Sequence, residues 1–221
     1  MRIVAFGDSI TLGVRTDGSL REEQAWRAVL SKRLNAAGGG PWEIINAGIG
    51  GNTTADGIKR FEADALANKP DIVTLMFGVN DAAMLSFPDF RPIPGPRVAL
   101  AEYRKNLAHM IHRARRTGAR VMLMTPCPMG NKYFNKHLEP YKSHDKNYVL
   151  RSYAQAVREI AAELGVELVD VWTRFLQEGM NELLPDGVHP NPRGHEVIAG
   201  MLFRAIQNGY SAQRSFECQS R

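Results

Sequence analysis

Residues 71–77 read Asp-Ile-Val-Thr-Leu-Met-Phe, an almost unbroken apolar run. Such a run, without polar alternation, is typical of a strand covered on both faces of a parallel sheet. Four further short apolar segments alternate with amphipathic helical segments along the chain, so the sequence predicts an α/β protein with right-handed βαβ crossovers and helices on both faces of the sheet. The other predicted strands are 2–6, 42–46, 120–125 and 166–170, and the predicted helices are 23–37, 54–68, 96–117, 145–164 and 191–208.

The size and composition of the chain fit one globular domain. With 221 residues, 44% hydrophobic and 23% charged, the chain can build one sizeable core, and extensive disorder or a small disulfide scaffold is excluded. We expect a single domain over residues 1–210 and a polar C-terminal tail over 211–221. The longest apolar runs are too short for a transmembrane helix, so no stable membrane insertion is expected.

Charge and cysteine usage bear on partners and location. The net charge is +5, but the basic residues are mostly interleaved with acids on predicted helices, as in Lys59, Arg60, Glu62 and Asp64. The arginine cluster at 113–116 lies near a helix end, where cations interact favourably with the helix dipole. Without a recognition motif, no nucleic-acid partner is expected. Two cysteines and the absence of a signal-peptide pattern predict a cytoplasmic protein, although a chain whose export signal has been removed looks the same.

Four polar or glycine-rich segments follow strand ends or precede the last helix. They are Gly-Asp-Ser-Ile at 7–10, Asn-Ala-Gly-Ile-Gly-Gly-Asn at 46–52, Gly-Val-Asn-Asp at 78–81 and Asp-Gly-Val-His-Pro at 186–190. The carboxyl ends of parallel strands share one edge of a sheet, where open α/β sheets bind ligands. The long loops 82–95 and 126–144 leave the same edge, and loops of this length are usually functional.

The residue types in these segments are those that acyl transfer needs. A serine hydroxyl such as that of Ser9 is a weak nucleophile and requires a base, for which His189 is the candidate. Asp186 can orient the imidazole from the same loop. Donors for the developing oxyanion are the backbone N–H groups of Ser9 and Gly51 and the side-chain amide of Asn80, and glycine permits close backbone approach.

Each of these residues also has an ordinary structural interpretation. Ser9 can cap a helix, Asp8 can serve the turn, and Asp186 can simply form a turn with the glycine that follows. Asn80 can begin a loop, and His189 can be a structural hydrogen-bonding residue. The combination of all four segments, in this order and at these strand ends, favours the catalytic interpretation.

The four segments together resemble the SGNH (GDSL-type) hydrolase superfamily, whose blocks supply a serine, a glycine, an asparagine and a histidine. These correspond to Ser9, Gly51, Asn80 and His189, with Asp186 at the position of the triad acid. Ile10 stands where the family name implies leucine. The resemblance covers nearly the whole chain and implies a three-layer α/β/α sandwich with a five-stranded parallel sheet, a flavodoxin-like arrangement.

Motifs for cofactors and metals are incomplete. Thr11 replaces the second glycine of a Gly-x-Ser-x-Gly elbow, and the glycines at 48–51 lack the third spaced glycine of a dinucleotide fingerprint. His109 and His112 share a predicted helix without an identifiable third ligand. We therefore expect neither a cofactor nor a metal, and a packing role for Cys127.

The resemblance implies a serine hydrolase that cleaves small carboxylic esters through an acyl-serine. The layout is most similar to short-chain (acetyl) esterases, including those that act on acetylated carbohydrates, with Gly-Asn-Thr at 51–53, Lys-Pro-Asp at 69–71, Met-Thr-Pro at 124–126 and Val-His-Pro at 188–190. A lysophospholipase or acyl-thioesterase is the alternative. A noncatalytic binding protein is less favoured because the catalytic set is intact, and an acyltransferase that excludes water is a further, less favoured alternative. Loop residues available to line an acyl channel, pack the loops or form a homo-oligomer contact are Met84, Leu85, Phe87, Phe90, Met129, Tyr133 and Phe134.

Overall fold

A computed structural model describes residues 1–14, 21–38, 40–139 and 141–219, with the backbone alone beyond residue 209. Its centre is a parallel sheet of five strands in the order β2-β1-β3-β4-β5. This is the flavodoxin-like order, in which the chain reverses direction across the sheet between β1 and β3. The strands are β1 (Arg2–Gly7), β2 (Glu43–Gly48), β3 (Ile72–Met76), β4 (Arg120–Met124) and β5 (Glu167–Val169).

In the described part of the chain, eight α-helices surround the sheet. The helix α2 packs on α8, whereas α4 packs on both α3 and α5, so that helices cover both faces of the sheet. The predicted three-layer α/β/α sandwich is confirmed. The helices are α1 (Ser9–Leu12), α2 (Trp26–Ala37), α3 (Thr54–Asp64), α4 (Leu100–Arg116), α5 (Leu150–Leu164), α6 (Val171–Glu178), α7 (Met180–Leu183) and α8 (Pro192–Gln219).

The core lies on both sides of the central strands. Every residue of β3 is buried, as the apolar run at 71–77 predicts, and β1 is buried from Ile3 onward. Phe6 of β1 makes edge contacts with Phe61 and Phe77, at centroid distances of 5.0 and 5.6 Å. This packing fixes α3 against the carboxyl ends of β1 and β3, next to the segments that carry the candidate site.

Two helices begin later than the sequence predicts, because residues at their predicted starts form hydrogen bonds with neighbouring loops. The predicted helix 96–117 begins at Leu100, since the N–H groups of Arg97 and Val98 donate to Ala83 and Asp81 in the loop after β3. The predicted helix 145–164 begins at Leu150. There the Asn147 side chain donates to and accepts from the Met129 backbone at 2.9 and 2.7 Å, which holds the loop 126–144.

Other boundaries differ by smaller amounts. The predicted helix 23–37 divides into a 3₁₀ turn at Glu22–Gln24 and α2, because Ala25 between them is extended. The predicted helix 54–68 likewise ends at Asp64 and is followed by a 3₁₀ turn at Leu66–Asn68. The last helix passes the predicted end at 208 and includes most of the segment 211–221. Within the described chain, each helix is too short or too polar to span a bilayer.

Candidate active site

Ser9 is the first residue of α1, directly after β1. The Asp8 side chain caps this helix by accepting from the Ile10 N–H at 3.0 Å. Gly7 permits the tight turn: a Cβ there would lie 2.2 Å from Thr11 Oγ1 and 2.5 Å from the Met76 carbonyl oxygen. The strand-to-helix turn therefore places the Ser9 side chain at the edge of the sheet.

The other end of α1 is held by a buried arginine. Arg27 of α2, with only 2% of its side chain exposed, donates to the Thr11 and Leu12 carbonyl oxygens at 2.7 and 2.9 Å and forms an ion pair with Glu22. Carbonyl groups in the last turn of a helix lack partners within the helix, so this guanidinium satisfies them. The short helix that carries Ser9 is thereby anchored at both ends.

Asp186 and His189 belong to one tight turn before α8. One carboxylate oxygen of Asp186 accepts from the N–H groups of Val188 and His189 at 2.8 and 2.7 Å, and the other lies 2.8 Å from His189 Nδ1. Burial alone raises the pKa of Asp186, but these hydrogen bonds outweigh it and hold the pKa below its ordinary value. Asp186 is therefore ionised at neutral pH.

A hydrogen bond joins the turn after β1 to the turn before α8. Ser9 Oγ lies 3.1 Å from His189 Nε2, across 180 residues of sequence. Ser9, His189 and Asp186 are thus joined by two consecutive hydrogen bonds into a triad at the carboxyl edge of the sheet. The structure brings together the three side chains that the sequence analysis selected for this role.

Gly51 and Asn80 face the same space as Ser9. Gly51 has a φ of +76°, a conformation that favours glycine, and its carbonyl oxygen accepts from Arg97 Nη1 at 3.1 Å. The Asn80 amide nitrogen donates to the Asn52 carbonyl oxygen at 3.0 Å, which ties the loop after β3 to the loop after β2. Gly51 and Asn80 line the cavity into which Ser9 opens.

This cavity has a volume of about 310 Å³ and is mostly apolar. Its aromatic wall comes from the two long loops: Phe87 contacts Phe90, and Phe90 contacts Phe134, edge to face at 5.7 and 5.4 Å. Met84, which the sequence analysis grouped with the channel candidates, is not among the described residues that line it. The channel candidates that do line it are Leu85, Phe87, Phe90, Met129, Tyr133 and Phe134.

Two buried carboxyl groups lie beneath the site. Burial is the main cause that raises the pKa of Asp8 to about 7 and that of Asp81 to about 6. The negative charge of Asp81 raises the pKa of Asp8 further, and both acids raise the pKa of Tyr103 nearby. Asp81 accepts hydrogen bonds from the backbone N–H and the hydroxyl of Thr54, at 2.8 and 2.5 Å. The sequence analysis gave Asp8 only a turn role and included Asp81 only as part of the segment 78–81, because burial cannot be read from these motifs.

Other candidates from the sequence have structural surroundings. Cys127 is fully buried, and burial raises the pKa of its thiol well above the usual value. His109 and His112 lie exposed on α4, and no cluster of three or more potential metal ligands occurs within the described residues. Arg60, which the sequence analysis grouped with interleaved helix charges, lies largely buried, with 14% of its side chain exposed.

Comparison with known proteins identifies the family. The profile of the GDSL-like lipase/acylhydrolase family matches residues 5–197. The chain belongs to this family. It is therefore a carboxylic ester hydrolase by class, in agreement with the triad of Ser9, His189 and Asp186.

Three similar proteins illustrate the breadth of the family. The uncharacterized lipoprotein YqeF of Bacillus subtilis is 34% identical, over 96% of this chain and 90% of its own length. The human isoamyl acetate-hydrolyzing esterase 1 homolog is 28% identical, over 96% of this chain and 83% of its own length. The crystal structure of the acetyl xylan esterase AlAXEase superposes with a TM-score of 0.74 at 26% identity, covering 93% of this chain and all of that one.

Proposed function

We propose that this hydrolase cleaves short-chain carboxylic esters through an acyl-serine intermediate. The observation that carries the proposal is the hydrogen-bonded triad of Ser9, His189 and Asp186 at the mouth of a small apolar cavity. A hydrogen-bonded base that is itself oriented by a third group is the arrangement that activates a serine.

Each residue has a defined step. Ser9 Oγ attacks the ester carbonyl carbon while its proton passes to His189 Nε2, and the same proton then goes to the leaving alcohol. A water molecule, deprotonated by His189, attacks the acyl-serine and releases the carboxylic acid and free Ser9. Asp186 keeps the proton on His189 Nδ1 and stabilises the imidazolium, because its lowered pKa keeps it ionised.

The oxyanion of each tetrahedral intermediate needs preorganised donors. Those we assign are the N–H groups of Ser9 and Gly51 and the side-chain amide of Asn80. The groups around them are held in place: Asp8 caps α1 next to Ser9, Arg97 donates to the Gly51 carbonyl oxygen, and the Asn80 side chain donates to the Asn52 carbonyl oxygen. Fixed donors of this kind contribute substantially because they need no reorganisation during the reaction.

The size and lining of the cavity support a small, largely apolar ester. Pockets for drug-sized ligands span about 300 to 1,000 Å³, and this cavity is at the lower end of that range. Beyond Ser9, His189 and Asn80, its polar side chains are Ser86, Arg97 and Tyr133, and Arg97 already donates to Gly51. A sugar with many hydroxyl groups finds few partners among these residues, whereas a short alkyl or aryl ester is well matched.

Acetylated carbohydrates are the second candidate, on the likeness to the acetyl xylan esterase. The observation that favours them is the exposed aromatic rim: Phe87 and Phe134 line the cavity and are 51% and 49% exposed. A long acyl chain of the kind found in lysophospholipids requires an extended channel and is less well matched to the cavity volume.

A chain-length series tests the proposal. We expect kcat/KM for p-nitrophenyl esters to peak between acetate and butyrate and to fall at least tenfold by octanoate, with isoamyl acetate hydrolysed faster than acetylated xylo-oligosaccharides. Ser9→Ala should lose activity by about three orders of magnitude or more. A maximum at eight or more carbons, or turnover that persists in Ser9→Ala, contradicts the proposal.

A further inference from the structure

Arg60 connects the segments that carry the proposed oxyanion donors. It belongs to α3, and its guanidinium lies over the Phe6 ring at 4.2 Å, beneath the carboxyl ends of β1 and β2. It donates to the Gly7 carbonyl oxygen at 2.9 Å, to the Ala47 carbonyl oxygen at 2.8 Å and to Asn52 Oδ1 at 2.7 Å. Its fourth partner is Asp64, at 3.1 Å on the same helix.

Each of the first three acceptors belongs to a segment of the active site. Gly7 lies two residues before Ser9, and its carbonyl oxygen also accepts from the Ile49 N–H in the glycine loop. Asn52 directly follows Gly51, and its backbone oxygen accepts from the Asn80 side chain. A single guanidinium therefore joins the serine turn to the glycine loop, and through Asn52 the network reaches Asn80.

We propose that Arg60 is a positioning residue that sets the geometry of the oxyanion hole by clamping the ends of β1 and β2 to Asn52. This proposal rests on the proposed acyl-serine function. Arg60 is not one of the described residues that line the cavity, so it acts through Gly7, Ala47 and Asn52 rather than on the ester. Donors placed for the oxyanion stabilise the transition state more than the bound substrate, so the effect belongs in kcat and not in KM.

The planar fork of arginine is what this clamp requires. Its Nε and two Nη groups point in fixed, divergent directions, and here they reach three acceptors on three segments. A lysine keeps the positive charge but has one nitrogen and cannot reproduce that spread. Arg60→Lys therefore separates the geometry of the clamp from its charge.

The experiment measures kcat and KM on p-nitrophenyl acetate for Arg60→Lys and Arg60→Gln. We expect kcat to fall about ten- to a hundredfold in both variants, while KM stays within about threefold of wild type. This loss of kcat is smaller than the loss expected when an oxyanion donor is removed entirely. The matched control is Arg113→Gln, because Arg113 also joins α3 through an ion pair, with Glu62, but at the exposed surface. Its kcat and KM should equal those of the wild type.

A double-mutant cycle separates positioning from general stability. Asn52→Ala removes only the Nε acceptor and leaves the strand-end contacts, so it stays informative if Arg60→Gln fails to fold. We expect Asn52→Ala to lower kcat, and the loss in Arg60→Gln/Asn52→Ala to be smaller than the product of the two single losses, because they act on one path. Folding is followed by thermal melting.

The outcomes are distinguishable. Wild-type kcat in folded Arg60→Lys and Asn52→Ala overturns the clamp, as does a rise in KM at constant kcat or independent, multiplying effects in the cycle. If the wild-type chain itself hydrolyses no ester, the acyl-serine function fails. If the wild type turns over and the Arg60 variants do so equally, only the positioning role fails.

Discussion

The backbone at Gly51 shows how a single residue type is imposed by its surroundings. Its φ of +76° is costly for any residue with a Cβ, and a Cβ built there lies 2.8 Å from the Phe87 ring. The glycine that the sequence analysis selected for its close approach is therefore also required by backbone conformation and by an aromatic neighbour.

Gly51→Ala is expected to lower kcat about a hundredfold and to cost about 1–3 kcal/mol of folding stability, because both the backbone and the Phe87 ring must shift. Steady-state kinetics and urea unfolding measure the two effects. Gly50→Ala is the control for stability, since its Cβ meets no atom within 4 Å and its φ is not positive. Gly51→Ala with unchanged kcat contradicts the assignment of its N–H as an oxyanion donor.

Residue types at strand ends could be predicted from the sequence, whereas burial of charged groups could not. The motifs that contain Ser9, His189 and Asp186 predict their chemical roles without a structure. Arg60 is a basic residue on an amphipathic helix, a pattern shared with solvated residues such as Lys59. Only the packing of α3 on Phe6 shows that its side chain points inward.

At the scale of elements, the two long loops are joined as one wall. The Tyr141 hydroxyl accepts from the Met84 N–H at 3.0 Å, and the Tyr141 ring packs edge to face on Tyr133 at 5.2 Å. The loop 82–95 is thereby fixed to the loop 126–144 around the cavity. Their relative position controls the shape of the space next to Ser9.

Tyr141→Phe removes this bridge and leaves the Met84 N–H without that acceptor. We expect a loss of about 1 kcal/mol in stability and a two- to fivefold rise in KM, with kcat nearly unchanged, because the loops shape the cavity and do not touch the reacting atoms. Tyr148→Phe is the matched control, since Tyr148 is 59% exposed. A fall in kcat at constant KM would contradict this prediction, because it would show that the Tyr141 hydrogen bond affects the reaction step and not substrate binding.

Strands were easier to predict than helix starts. The apolar runs of β1, β3 and β4 form strands whose ends lie within about one residue of the predicted ones. The starts of α4 and α5 depend on distant groups, because residues 97 and 98 bond to the loop after β3 and Asn147 bonds to Met129. The helices α1 and α7 span four residues each and are too short to show helical periodicity.

At the scale of the whole molecule, the buried acids make stability depend on pH. The pKa of Asp8 is about 7 in the folded protein, mainly through burial, and near 3.9 in an unfolded chain. The folded state therefore binds this proton more tightly. The stabilisation of the folded state by this protonated carboxyl group is present in full below about pH 4. It is lost as the pH rises through about 7. Asp81, with a pKa of about 6, acts in the same direction.

Asp8→Asn removes this titration while keeping an oxygen to cap α1. We expect the melting temperature of the variant, relative to wild type, to rise between pH 5 and pH 8 by at least about 2–4 °C, the equivalent of about 1 kcal/mol for a chain of this size. Asp170→Asn should give a flat difference over this range, because hydrogen bonds from Arg158 and Thr173 outweigh the effect of burial and hold the pKa of Asp170 below its ordinary value, so it stays ionised. A flat difference for Asp8→Asn contradicts the account of its burial.

The most direct test of the whole account is covalent labelling of the native chain with a fluorophosphonate, read by intact mass and peptide mapping. An activated serine should take up one phosphonyl group per chain, on the peptide that contains Ser9, and labelling should stop in Ser9→Ala and slow sharply in His189→Ala. A chain that takes up no label, or carries it on another residue while Ser9 stays free, contradicts acyl transfer at this site.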